Sequence, residues 1–141
     1  MQRYGHENIV FDVVDLDPNG SSLAYIDSAL GCLSDDGLLA ATFTDMNVLC
    51  DPAALGLCFS KYGSAPLSEP YILENATRML LYTINTLATR QGKTIEPLLA
   101  LTTDNFIRVF LKVCKSQTNC LLAISNYSLI YQCTTCHAHW L

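Results

Sequence analysis

A chain of 141 residues, half of them apolar and 15% charged, has the size of one domain with a buried core and is too hydrophobic for a disordered tail. Its net charge of −5 excludes a protein that coats nucleic acid through a uniformly positive surface, because displacing counterions from phosphates needs basic side chains. No run is long enough to span a bilayer and the N-terminus lacks the basic start and apolar core of a secretory leader, so an intracellular location is expected, with nucleus, cytoplasm and mitochondrion indistinguishable.

In chain order, residues 9–16 read as a buried strand: the run is apolar on both faces except at Asp12, as in a parallel strand covered by helices on both sides. Asp15-Leu16-Asp17-Pro18-Asn19-Gly20 follows. An acidic turn leaving a strand of an open α/β sheet stands where ligands bind, yet Asp, Pro, Asn and Gly are also the residues that plain turns select. Ser21 or Ser22 can cap a helix in which Leu23, Ile26, Leu30 and Leu33 recur at helical spacing, and Asp35-Asp36-Gly37 closes it. A second strand over 38–44 ends in Thr44-Asp45. Strand, helix and strand make a parallel crossover unit, so Asp17 and Asp45 are expected at one sheet edge, Asp45 either as a second acid of the crevice or as the N-cap of the turn that follows.

Residues 51–68 are loop-like, with Pro52, Gly56, Gly63 and Pro66. Ser68 or Glu69 with Pro70 opens the longest helix, whose Ile72, Ala76, Met79, Leu80, Thr83 and Leu87 form one face until Gly92 stops it. Strands over 95–102 and 106–114 are joined by a link short enough to require an antiparallel pair. In the second of them Ile107, Val109, Leu111 and Val113 alternate with more polar neighbours. A shorter hairpin, 121–124 with 129–132, leads to Cys133-Thr134-Thr135-Cys136-His137. Residues 1–51 hold nine acids and one base, whereas residues 52–141 hold seven bases and four acids. That asymmetry suits an acidic crevice beside a mildly basic flank, and equally suits ordinary solvated faces. The seven cysteines are odd in number and irregularly spaced, which reads as reduced thiols.

Phe11-Asp12-Val13-Val14-Asp15-Leu16-Asp17-Pro18-x-Gly20-Ser21, Gly37-Leu38-Leu39, Thr44-Asp45-Met46-x-Val48-Leu49, Ser60-Lys61-Tyr62-Gly63, Pro97-Leu98-Leu99 and Ile107-Arg108-Val109-Phe110 occur in collinear order over almost the whole chain. Together with the terminal Tyr131-Gln132-Cys133-x-x-Cys136, they resemble the tRNA (guanine(26)-N2)-dimethyltransferase family. The resemblance implies an α/β fold, the C-terminal half of a Rossmann-like sheet that binds S-adenosylmethionine, with antiparallel final strands and a short terminal hairpin. It implies a division into residues 1–116, the second half of the methyltransferase domain, and 117–141, the start of a C-terminal domain.

By the same resemblance the activity is methyl transfer from S-adenosylmethionine to the exocyclic N2 of a guanine in tRNA. Asp17 and the Pro18 carbonyl would be catalytic, Asn19, Gly20 and Asp45 would face the substrate, and Thr44 the cofactor. The guanine amine is a weak nucleophile whose lone pair is delocalised, so acceptors for its two N–H groups would aim that lone pair at the methyl. Position 19 departs from the family, which has an aromatic residue there to stack on the base; Tyr25 and Tyr62 are the alternatives for that task. The family's glycine loop for the nucleotide lies upstream of anything in this sequence, so a partial chain is expected. Cys133 and Cys136 would be half of a zinc site, the other pair lying further downstream. The partner is tRNA, with neither a membrane nor an obligate protein partner expected. The alternative is an inactive derivative serving as a tRNA-binding or protein-interaction module.

Overall fold

In the computed structural model, which describes residues 9–67 and 70–141, a four-stranded mixed sheet carries the chain. Its strands are β1 (Phe11–Leu16), β2 (Leu33–Phe43), β3 (Lys93–Thr102) and β4 (Ile107–Lys115), in the spatial order β1-β2-β4-β3. β1 and β2 are parallel, and β4 is antiparallel to both of its neighbours, β2 and β3. The expected parallel crossover and antiparallel final pair are therefore both present. Helix α1 (Leu23–Cys32) makes the crossover, and α4 (Ile72–Arg90) lies on β3 and against α1. The core between these layers gathers Leu16, Ile26, Leu30, Leu39, Phe43, Leu80, Ile84 and the inward face of β4.

Several local features differ from expectation for identifiable reasons. β1 is covered on one face only: Val14 and Leu16 are buried, whereas Phe11, Val13 and Asp15 are exposed. Helix α1 ends at Cys32, and Leu33 already has extended backbone and pairs with Phe11. Buried Lys93 enforces this end, its ammonium donating to the carbonyls of Leu30 and Leu33. Asp35-Asp36-Gly37 thus lies inside β2, where the register jumps from Leu33 to Leu38 and Asp36 takes a left-handed φ of 62°. Ser22 occupies the N-cap position of α1, but its hydroxyl donates to the Thr42 carbonyl instead of capping, and Ser21 Oγ accepts from the Leu23 N–H.

A short helix α2 (Met46–Leu49) follows β2, and the residues expected as a loop, 51–68, contain a 3-10 turn (Pro52–Ala54) and helix α3 (Leu55–Tyr62). Asp51 accepts from the Ala53 N–H, and Gly63 closes α3 with a φ of 66°, a conformation that costs glycine little. Of the residues expected to open α4, Ser68 and Glu69 lie outside the described residues. The edge strand β3 accommodates Pro97 at an irregularity between Pro97 and Leu99, where the missing N–H costs no ladder bond.

The expected hairpin over 121–124 and 129–132 is not formed. Ser116 accepts from the Asn119 N–H and caps α5 (Gln117–Leu122), which runs into a 3-10 turn (Ala123–Asn126). A short apolar run has no period to separate helix from strand, and here the cap decides. The terminal hairpin lies later, as β5 (Tyr131–Gln132) with β6 (His139–Trp140). Tyr127 packs edge-on against Tyr82 at 4.9 Å and accepts from Asn85, while His139 meets Tyr71 at 4.6 Å, so the C-terminal segment is fastened along α4.

One ionic clamp crosses the sheet. Arg108 on β4 reaches over β2, donating to Thr42 Oγ1 at 2.5 Å and to both oxygens of Asp15 on β1 at 2.7 and 2.8 Å. Replacing Arg108 with Met should lower stability by no more than about 1 kcal/mol, because Asp15 is 56% exposed and water screens the pair. Urea denaturation of the parent and the variant measures it.

Candidate functional site

The parallel strands β1 and β2 deliver their carboxyl ends to one rim. There the Thr44 N–H donates to the Gly20 carbonyl at 2.8 Å and the Gly20 N–H to Thr44 Oγ1 at 2.7 Å. This reciprocal pair joins the turn after β1 to the end of β2. Gly20 has a φ of 90°, and nothing lies within 4 Å of the position a Cβ would take, so the backbone is bare at the rim.

The five predicted rim residues, Asp17, Pro18, Asn19, Gly20 and Thr44, are brought together by this pairing. Asp17, Asn19 and Thr44 are exposed, and Pro18 and Gly20 are partly so. No described residue bonds the Asp17 carboxylate. The Thr44 hydroxyl is committed to Gly20, donating back to its carbonyl at 3.3 Å.

Asp45 has a different environment. It is 9% exposed and makes no helix-capping bond; its carboxylate accepts from the Tyr62 hydroxyl at 2.8 and 3.0 Å and from Lys61 at 2.6 Å. The Tyr62 oxygen is also 2.8 Å from Ser21 Oγ. Because a carboxylate only accepts, the Tyr62 proton points to Asp45 and the Ser21 hydroxyl donates to Tyr62. Ser21, Tyr62, Asp45 and Lys61 therefore form one directional chain behind the rim. Burial pushes the Tyr62 phenol up, the Ser21 bond offsets this in part, and the Asp45 charge adds to the rise. The phenol stays protonated throughout the neutral range. Burial and the same carboxylate also raise the Cys58 thiol, which leaves that sulfur an inert packing group.

Two carboxylates thus reach neighbouring strand ends with opposite roles. Asp45 is neutralised within the wall, and Asp17 is open to solvent and free to accept hydrogen bonds from a ligand. Ser21, Lys61 and Tyr62 are the participants that sequence reasoning did not assign. The signal for Lys61 and Tyr62 was present in the Ser60-Lys61-Tyr62-Gly63 motif, which fell in a segment read as a loop, and Ser21 was read as a helix cap. Tyr62, one of the two residues considered for stacking on a base, is 1% exposed and cannot present its ring, whereas Tyr25 is 48% exposed. A cavity of about 250 Å³ beneath the C-terminal segment, bordered by Arg78, Tyr82, Ile95 and Tyr127, shares no residue with the rim.

Cys133 and Cys136 lie away from the rim, in the turn between β5 and β6. The Cys133 N–H donates to the Ala138 carbonyl and the His137 N–H to the Cys133 carbonyl, with His137 at a φ of 59°. Backbone N–H groups of Cys136 and Thr135 pull the Cys133 thiol below its ordinary range, the direction that favours a thiolate ligand. Among the described residues no group of three or more metal-ligating side chains gathers there, and none of the seven cysteines is in a disulfide.

The family described as N2,N2-dimethylguanosine tRNA methyltransferase matches residues 1–140. A tRNA (guanine(26)-N(2))-dimethyltransferase of Drosophila melanogaster is 48% identical over 89% of the chain and 22% of its own length, and that of Homo sapiens is 36% identical over 98% and 21%. The chain spans about a fifth of the length of these curated relatives. Among solved structures, Trm1 from Pyrococcus horikoshii in complex with S-adenosyl-L-methionine superposes with a TM-score of 0.90 at 28% identity, over 99% of this chain and 38% of that one.

Proposed function

The chain belongs to the N2,N2-dimethylguanosine tRNA methyltransferase family, and on that premise we propose that it forms the acceptor side of a tRNA guanine-N2 methyltransferase, working inside a longer enzyme. The observation that carries this is the exposed Asp17, bonded by no described residue, on a turn locked to the neighbouring strand end. Bound S-adenosylmethionine would supply an electrophilic methyl group on a sulfonium. Two features of the rim fit it: its place at the carboxyl ends of parallel strands and the bare backbone at Gly20. Thr44 is the cofactor-facing residue, through its methyl group and carbonyl, because its hydroxyl is held by Gly20.

The chain's own residues do the rest. Asp17 and the Pro18 carbonyl accept the two N–H bonds of the guanine amine and hold its lone pair out of conjugation with the ring. As the nitrogen–methyl bond forms and the sulfur–methyl bond breaks, its electron pair returning to sulfur to leave a neutral thioether, positive charge would develop on nitrogen and the Asp17 carboxylate would stabilise it. Asp17 then takes the proton that nitrogen sheds, restoring a neutral amine. Proline has no N–H of its own to compete with the substrate. Asn19 and Gly20 border the same space, and Asp45 acts from within the wall. With tRNA as substrate the work site is intracellular; a relative from Saccharomyces cerevisiae is named mitochondrial.

The test is mass spectrometry of nucleosides from unmodified tRNA incubated with the full-length enzyme and S-adenosylmethionine. N2-methylated guanosine at position 26 is expected; tRNA binding without methylation would select a binding module instead.

Cys133 and Cys136 fit half of a zinc site, since a tight turn presents both sulfurs and favours the Cys133 thiolate. Two further ligands would complete the tetrahedron, as the start at residue 117 of a second domain would allow. Metal analysis of the full-length enzyme should find one zinc per chain lost in Cys133→Ser and in Cys136→Ser; unchanged zinc in both would remove these residues as ligands.

A further inference from the structure

Gly20, Ser21 and Ser22 are consecutive, and each is tied to a different point at the end of β2. Gly20 pairs with Thr44, the Ser22 hydroxyl donates to the Thr42 carbonyl at 2.6 Å, and Ser21 reaches Asp45 through the Tyr62 hydroxyl. The turn is held at one end by Leu16, in register with Ala41 of β2, and at the other by the pair of Gly20 with Thr44. A turn held at two points can still pivot about the line that joins them, and that pivot moves Asp17, Pro18 and Asn19, which lie between them.

We propose that Tyr62 is a positioning residue for methyl transfer: its hydroxyl, bridging Ser21 and the Asp45 carboxylate, fixes the height and tilt of the Asp17–Gly20 turn. This rests on the function proposed above. The core makes the tyrosine a fixed post. Its ring meets Phe43 edge-on at 6.5 Å, and the Thr83 hydroxyl of α4 donates to its backbone carbonyl at 2.9 Å. Packing explains the ring but not the choice of partners for the hydroxyl. A buried phenol needs one acceptor, and any backbone carbonyl would do. Here the acceptor is a carboxylate whose charge Lys61 must balance, and the donor is the serine that follows the acceptor turn. Lys61, 2.6 Å from Asp45, balances that charge behind the rim.

The experiment uses the full-length enzyme with Tyr62→Phe, Ser21→Ala and both together. Each single variant should lose about tenfold or more in kcat, because a small misplacement of reacting groups is enough to do so, with both KM values within about twofold of the parent. The double variant should be no worse than either single one, since both remove the same bridge. The pH profile of kcat should keep its shape, because the phenol donates at every working pH and exchanges no proton. A kcat within about twofold of the parent in either single variant, or losses that multiply in the double one, would overturn the proposal.

Ser21→Ala buries no new group and keeps the test open if Tyr62→Phe folds poorly. Amide exchange separates this inference from the one beneath it. Even in an enzyme that methylates no tRNA, loss of the bridge in Tyr62→Phe must speed exchange at Gly20 and Leu23, whose N–H groups bond Thr44 Oγ1 and Ser21 Oγ. Unchanged exchange sinks the positioning role whatever the activity, whereas absent methylation in the parent sinks only the proposed function.

Discussion

Asp17→Ala in the full-length enzyme is expected to lower kcat by about 10²–10⁴-fold, the usual contribution of a positioned acid or base, with thermal stability unchanged. That factor corresponds to about 2.7–5.5 kcal/mol of transition-state stabilisation. The two halves of the prediction have separate origins. Asp17 is exposed and bonded by no described residue, so the fold loses nothing when it goes. The reaction loses both an acceptor that orients the amine and the charge that stabilises developing positive nitrogen. Asp17→Asn separates these: it keeps one acceptor oxygen but adds an N–H donor where the substrate also donates, so it should recover little. Single-turnover methylation measures both variants, and parent-like rates in Asp17→Ala would remove Asp17 from the mechanism.

Phe43→Ala should cost about 3–5 kcal/mol of stability, as expected for truncating a large buried aromatic side chain. Phe43 is fully buried at the end of the central strand β2, where no solvent can fill the space left behind. Its ring is also the edge partner of Tyr62, one residue away from the Thr44 that pairs with Gly20. The cavity therefore opens beside the post that holds the acceptor turn. Chemical denaturation should show the stability loss, and kcat at a temperature where the variant is still folded should fall as well. Phe43→Leu, which keeps most of the volume, should cost much less in both measurements. A Phe43→Ala enzyme with reduced stability but parent kcat would show that the wall tolerates a loose core.

Elements with a long period were legible from the residues. The alternation of Ile107, Val109, Leu111 and Val113 and the strand-helix-strand start occur where periodicity places them, and the buried face of α4 keeps Ala76, Met79 and Leu80 of the expected stripe but continues through Ile84 and Ala88, leaving Ile72, Thr83 and Leu87 half-buried. Short elements were not. Helix α3 has only eight residues, of which Cys58 and Tyr62 alone are buried, so it shows no full apolar stripe. The 121–124 run looks like a strand by composition and is helical because Ser116, five residues earlier, caps it. The end of α1 depended on Lys93, sixty residues away in sequence, and no local pattern announces such a cap.

For the site, the family and the acceptor turn were readable because Asp17-Pro18-x-Gly20-Ser21 and its collinear companions are local strings. The sequence also determined that Asp17 and Asp45 follow parallel strands and must reach the same rim, a consequence of chain direction alone. It did not distinguish the two acids. Only the tertiary structure decided that Asp45 is paired with Lys61 and bonded by Tyr62 while no described residue bonds Asp17, and that Tyr62 is a buried post and not a stacking platform. Whether a carboxylate is engaged depends on what the folded chain sets within about 3 Å of it, and the neighbours of Asp45 come from a helix sixteen and seventeen residues further on.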